Sequence, residues 1–314
     1  MRKALILAVT LLVLGGGALF YAVRAARVAP AQEAAFDLAR PGQIVVRDHA
    51  SGFVRGSRTR CERFATAAGT GVCLVTEVAK TYALVVDRSM KQTRRLHIAG
   101  IPSRARVSPT GRMISWTVFV TGDSYNKGGF STWTGILDNR TGYAITNMEE
   151  IPLTKDGRRY HSADVNYWGV TFAGDDNRFY ATVSTRGKTY LVEGDYGRWQ
   201  ARVLRENAEC PSLSPDGRRL VFKKLMPGGR WRLHGLDLAS MKETPLAEPA
   251  HVDDQAAWLD DRTVMYAKGP DVWAVPADGT GAPACWSRTP HRRPPSADRS
   301  TFAPCARCSC SWRS

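Results

Sequence analysis

The sequence predicts an all-β fold assembled from repeated multi-stranded units, and three observations carry that expectation. First, a short phrase recurs. Ser108-Pro109-Thr110-Gly111-Arg112 runs straight into Met113-Ile114-Ser115-Trp116, and Ser214-Pro215-Asp216-Gly217-Arg218-Arg219 runs into Leu220-Val221-Phe222. Two weaker copies share the layout: Asp175-Asp176-Asn177-Arg178 before Phe179-Tyr180-Ala181-Thr182, and Asp260-Asp261-Arg262-Thr263 before Val264-Met265-Tyr266-Ala267. Second, aligned on Arg112, Arg178, Arg219 and Thr263, the copies lie 66, 41 and 44 residues apart. Repeat periods of about 40 to 45 residues with several strands each belong to propeller blades. Third, no stretch after residue 40 sustains a helical period, whereas short apolar runs bounded by Gly, Asp, Ser and Arg recur throughout.

In chain order, residues 1–23 come first. After Arg2 and Lys3, residues 4–23 carry no charge. That is long enough to cross a hydrocarbon core of roughly 30 Å as a helix, and longer than the apolar region of about 7 to 15 residues in a cleavable signal. The reading is an uncleaved transmembrane signal-anchor helix. Orientation by positive charge is balanced, because Arg24 and Arg27 offset Arg2 and Lys3. Residues 24–40, rich in Ala and Arg, read as a linker. Residues 41–283 then give strand after strand: Ile44-Val45-Val46, Val72-Cys73-Leu74-Val75, Tyr82-Ala83-Leu84-Val85-Val86, Arg95-Leu96-His97-Ile98, and further runs at 130–137, 189–192 and 199–204.

The repeated phrase is hairpin chemistry. Proline sets φ at the second turn position, Asp or Thr hydrogen-bonds its own backbone, and glycine takes the positive φ that closes the turn. Without its first 30 and last 31 residues the chain keeps 253, which at about 42 per blade is six blades. The predicted fold is therefore a six-bladed β-propeller with an N-terminal transmembrane helix.

The residues Pro211-Ser212-Leu213-Ser214-Pro215-Asp216-Gly217-Arg218-Arg219-Leu220-Val221-Phe222 resemble the blade core of TolB-like (WD40-like) propellers. The blade ending at 231–238 and the segment 242–246 continue the likeness. Through 165–172 and 271–279 the chain is similar to the membrane-anchored TolB-like proteins of actinobacteria. The resemblance covers residues 1–283. It implies a non-catalytic, extracytoplasmic binding module at the cell envelope, anchored in the membrane by a single pass, whose partner is an envelope protein or a small ligand. The alternative is a propeller hydrolase or lyase, or the cap remnant of a propeller peptidase.

Composition narrows the functional classes. The formal net charge is +15, but residues 1–30 contribute +4 and residues 284–314 contribute +5. The remaining +6 is spread without a Lys/Arg stripe, which argues against nucleic acid. No His-Glu-x-x-His, Gly-x-Ser-x-Gly, phosphate loop or dinucleotide fingerprint occurs, and no cofactor is expected. The doublets Asp175-Asp176 and Asp260-Asp261 lie in the repeat turns, where Asp serves the turn.

Seven cysteines form three groups. Cys61 and Cys73 have hairpin spacing, and in an exported body they are expected to form a disulfide. Cys210, at a strand start, reads as a small buried residue. Cys285, Cys305, Cys308 and Cys310 lie in residues 284–314. That stretch has no Val, Ile, Leu, Met, Gly, Lys or Tyr and reads as a disordered, frameshifted tail that leaves the last blade a strand short. No metal site is expected there, since structural zinc needs four ligands in suitable spacing.

In a propeller the innermost strands begin near one mouth of the central channel. The residues just ahead of them are Arg104, Asp164 with Asn166, Glu209, and Asp253-Asp254-Gln255. This mixed acidic, amide and arginine set is the candidate ligand-binding site. The other reading is that these groups solvate a channel entrance.

Overall fold

The computed structural model describes residues 36–40, 42–120 and 131–287. Among these residues the strands form five sheets, each starting as an antiparallel meander. Blade 1 is β1 (Arg63–Ala67), β2 (Thr70–Glu77), β3 (Lys80–Val86) and β4 (Gln92–Ile98). Blade 2 is β5 (Ile101–Val107), β6 (Met113–Val120), β7 (Ser131–Asp138) and β8 (Ala144–Ile145). A small hairpin follows, β9 (Leu153–Lys155) and β10 (Arg158–Tyr160). Blade 3 is β11 (Asn166–Phe172), β12 (Arg178–Thr185), β13 (Lys188–Asp195) and β14 (Gln200–Glu206). Blade 4 is β15 (Glu209–Leu213), β16 (Arg219–Met226), β17 (Arg230–Asp237) and β18 (Glu243–Pro245). Blade 5 is β19 (Ala257–Trp258), β20 (Thr263–Lys268), β21 (Asp271–Pro276) and β22 (Ala284–Ser287).

The ring therefore has five blades, which corrects the six expected from length. The 66-residue spacing between the first two phrases holds the β9–β10 hairpin, whose β9 runs parallel to β14 and extends blade 3 to six strands. The opening stretch of the expected propeller, including Ile44-Val45-Val46, is not a blade either. It is irregular chain with isolated bridges, Arg47 to Val54 and Phe53 to Arg60. Dividing the length by one blade's residues counted these two segments as a sixth blade.

Strand by strand, the other expectations fall on β2, β3, β4, β7, β13 and β14, with residue 130 outside the described residues and Trp199 just ahead of β14. The repeated phrase is the turn between the first and second strand of its blade. Blade 1 has a fifth copy, Ala67-Ala68-Gly69-Thr70, that lacks both Pro and Asp. The turns clasp one another. Ser108 Oγ donates to Asp176 at 2.7 Å, and the Asp216 backbone N–H donates to Asp261 at 2.9 Å. One Asp of each doublet thus joins neighbouring turns, while Asp175 and Asp260 accept from N–H groups of their own turns.

Hydrophobic side chains facing across the seams hold blades together. Val72, Leu74 and Val85 meet Ile114, Trp116 and Val118 between blades 1 and 2. Met113 and Ile136 meet Tyr167, Val170 and Phe179 between blades 2 and 3. Tyr180 and Leu191 meet Leu220, Phe222 and Leu236 between blades 3 and 4, and Val221 and Leu233 meet Val264, Tyr266 and Val275 between blades 4 and 5. Among the described residues no such cluster joins blade 5 to blade 1. Each of those two blades is built from consecutive strands, so among the described residues no strand is exchanged to fasten the ring.

Cys61 and Cys73 are joined in a disulfide with Cα atoms 5.3 Å apart, and both are buried beside Val54. Residues 284–287, assigned from sequence to the tail, supply β22, so blade 5 has its fourth strand. No helix among the described residues is long and apolar enough to cross a membrane. The predicted anchor (residues 1–23), residues 24–35 of the predicted linker and the tail from residue 288 lie outside the described residues.

Candidate functional site at the open seam

Where blades 5 and 1 fail to meet, a cleft of about 870 Å³ opens onto the channel. One wall is Arg63-Phe64-Ala65-Thr66 of β1 and its start. The opposite wall is Ala257 and Trp258 of β19 with Met265 and residues 267–272 of blade 5. The floor is Ser103-Arg104-Ala105-Arg106-Val107 of β5, and Gln43–Val45, Arg47 and His49 line the cleft as well. A volume of this size is ordinary for a ligand site.

Four of the seven sequence-predicted residues line it: Arg104, Asp253, Asp254 and Gln255. Gln255 is a crosspiece of the channel, its Nε2 donating to the Pro211 carbonyl at 2.8 Å and the Gly169 carbonyl at 3.1 Å, on the innermost strands of blades 4 and 3. Glu209 stands behind the cleft. Its carboxylate is 3.8 Å from the ammonium of Lys223, a buried residue of β16 that also pairs with Asp253. Burial raises the Glu209 pKa above the usual carboxylate range, despite Lys223. Burial opposes ionisation of Asp253 too, but the Lys223 ammonium outweighs it and holds that carboxyl low.

Asp164 and Asn166 go elsewhere. The Asp164 carboxylate accepts from Ser162 Oγ at 2.6 Å, Thr185 Oγ1 at 2.7 Å and the Arg186 N–H at 2.5 Å, which closes a turn of blade 3. Asn166 Oδ1 accepts from the Thr132 N–H at 2.9 Å and stitches β11 to β7 of blade 2.

Sequence reasoning missed Arg63, Arg106 and Trp258. Arg106 was within reach of it: in a strand, residues two apart share a face, so Arg104-Ala105-Arg106 places both guanidiniums together. Arg106 Nη2 crosses the channel to the Ala256 carbonyl of blade 5 at 3.2 Å. Burial pulls its pKa down to about 10, so it still carries its charge near neutrality. Burial also lowers Arg63, and the neighbouring Arg104 and Arg47 add to this by like-charge repulsion. Trp258 Nε1 donates to the Ser212 carbonyl at 3.0 Å, so its ring is fixed against blade 4 while lining the cleft.

TolB from Acinetobacter baumannii is 14% identical and superposes with a TM-score of 0.50 over 75% of this chain. The chain spans 60% of that TolB's length. Its fold is TolB-like. The resemblance read from the repeats thus holds at the level of fold. A putative TolB from Agrobacterium tumefaciens is 13% identical, with a TM-score of 0.48 over 71% of this chain and 79% of its own. A Mycobacterium tuberculosis puromycin-hydrolyzing peptidase is 13% identical, with a TM-score of 0.45 over 77% of this chain and 42% of its own. No family model and no curated protein matches the sequence.

Proposed function

We propose that the protein is a non-catalytic binding module of the cell envelope, a TolB-like propeller that holds a partner segment or small ligand in the cleft between blades 5 and 1. The observation that carries this reading is the cleft itself. Four other seams are filled by apolar side chains, while this one is left wide and lined by charged and aromatic groups. A concave pocket that combines apolar side chains with a few convergent polar groups is the usual form of a ligand site. An extracytoplasmic location is supported by the Cys61–Cys73 disulfide, since such bonds persist in oxidising compartments. The uncharged run at residues 4–23 supports a single-pass anchor.

The test is site-specific photo-crosslinking in the native envelope, with the reactive group at Trp258 in the cleft or at Arg178 on an exposed turn of blade 3. The expected result is a discrete adduct from position 258 and none from 178. Equal adducts from both, or none from 258, would overturn the assignment of the cleft. Turnover of generic esterase, peptidase or glycosidase substrates by the purified chain would overturn the non-catalytic reading.

A further inference from the structure

The floor of the cleft gathers guanidiniums, with Arg63 beside it on the wall. Arg63, Arg104 and Arg106 come from the innermost strands of two adjacent blades, and they donate to backbone carbonyls, Arg104 also meeting the Cys210 side chain. Arg63 Nε donates to the Ser103 carbonyl at 2.6 Å and its Nη1 to Glu62 at 3.0 Å. Arg104 Nη1 donates to Ser103 at 3.0 Å, and Arg106 Nη2 to Ala256 at 3.2 Å. The Nε atoms of Arg104 and Arg106 are buried with no hydrogen-bond partner.

A guanidinium cannot shed its proton to escape burial, so an unmatched donor there is a standing cost. The carboxylate whose field reaches all three is Asp254. Asp253 is committed to Lys223. Asp254 is thus the carboxylate the three cations share, with Glu62 reaching Arg63 and Asp253 reaching Arg104, and guanidinium donors are the groups that match an oxyanion.

We propose that these three arginines form an oxyanion-binding site which takes the carboxylate of an organic acid with an apolar body. The proposal rests on the reading of the cleft as a binding site. Phe64, Trp258, Met265 and Val272 line the cleft beside the arginines and provide the surface for the body. Asp254 beside the arginines favours a monoanion over a phosphate dianion, because a second negative charge would meet its carboxylate.

The full chain is titrated at low salt with phenylacetate, acetate, inorganic phosphate and phenethylammonium, with tryptophan fluorescence and calorimetry as readouts. Phenylacetate is expected to bind saturably, at least tenfold more tightly than acetate or phosphate, and phenethylammonium not at all. Arg104→Gln is expected to weaken phenylacetate at least tenfold, and Arg104→Lys, which keeps the charge but not the fork, by less. Arg106→Gln should act like Arg104→Gln. It also loses the tie to Ala256, so if it does not fold, Arg104→Gln and the phenylacetate-induced rise in the wild-type Tm carry the test. Binding within twofold of wild type in Arg104→Gln, equal binding of phenethylammonium, or tighter binding of phosphate would each overturn the proposal. If position 258 still crosslinks a partner while phenylacetate does not bind, this inference fails and the cleft reading stands. If neither occurs, both fail.

Discussion

Between blades 2 and 3 and between blades 3 and 4, threonine hydroxyls bonded to backbone groups close the seam. The hydroxyls of Thr132 and Thr134 both donate to the Tyr167 carbonyl across the first seam. Across the second, the Cys210 N–H donates to Thr182 Oγ1 at 2.8 Å and the Leu213 N–H to Thr171 Oγ1 at 3.2 Å. Between blades 5 and 1, by contrast, long charged side chains line a gap, and the nearby ties run to other blades: Arg106 of blade 2 donates to the Ala256 carbonyl just ahead of β19, and Gln255 donates to blades 3 and 4. The contrast separates two jobs. Where backbones approach, small and hydroxyl-bearing residues give rigidity. Where they part, guanidiniums and aromatic rings are exposed to whatever enters.

The largest expected effect tests that contrast with one substitution at two places. Gly169 has φ +64° at a bulge in β11, and a Cβ there would sit 2.9 Å from the Cα of Cys210. Gly269, at the open seam, has a nearly equal φ of +62° but open space around its Cβ position. Gly169→Ala should cost about 3 kcal/mol, combining left-handed strain of about 1–2 kcal/mol with crowding of a backbone that cannot yield. Gly269→Ala should cost only the strain, about 1 kcal/mol. Denaturant midpoints measure both. Equal losses would mean that the seams do not differ in packing.

Lowering the pH probes a closed blade next. In blade 2, Arg112 donates through Nε at 3.0 Å and Nη2 at 2.6 Å to the buried Asp138, which also accepts from the Arg140 N–H at 3.0 Å. Its hydrogen bonds to Arg112 pull the Asp138 pKa from 3.8 to about 2. A carboxyl depressed on folding stabilises the fold above its unfolded pKa and loses that contribution as pH falls. Asp138 should therefore add about 2 kcal/mol at pH 7, fading from about pH 5 down through pH 2. Asp138→Asn should remove both the stability and that share of the acid dependence. An unchanged stability–pH curve in the variant would show that the pair contributes nothing.

How much of this was legible in the sequence follows from where each feature is encoded. The blades were readable because their turns need Pro, Asp and Gly at fixed offsets, and those residues are visible in one dimension. In blade 1 the strands β2, β3 and β4 were readable but the turn ahead of β2 was not, because Ala68 and Gly69 take positive φ values of 47° and 76° without proline or aspartate. The blade number went wrong because the β9–β10 hairpin and the bridged segment near Val54 have strand-like composition but pair outside the meanders. At the site, Arg104 and Asp253 to Gln255 were placed by their position ahead of inner strands. Asp164 and Asn166 satisfied the same rule, yet their short side chains found backbone N–H groups within reach and were absorbed. Arg63 and Trp258 carry no local signal: what makes them part of a site is the missing contact between blades 5 and 1.

The smallest effect compares two orphaned donors. Tyr167 is fully buried in the blade 2–3 seam, and its hydroxyl has no hydrogen-bond partner there. Burial raises its pKa above the usual tyrosine range, which keeps the hydroxyl protonated and polar in an apolar setting. The Nε atoms of Arg104 and Arg106 are buried without a partner in the same sense, but their side chains line a cleft. In a closed seam no ligand can supply the missing bond, so the hydroxyl is only a cost. Tyr167→Phe removes it while preserving the ring's packing and should raise stability by about 1 kcal/mol. It should leave phenylacetate affinity unchanged, whereas Arg104→Gln changes affinity. A loss of stability in Tyr167→Phe would mean that the closed seam hides a polar partner, and the distinction between the two seams would then rest on the backbone contacts alone.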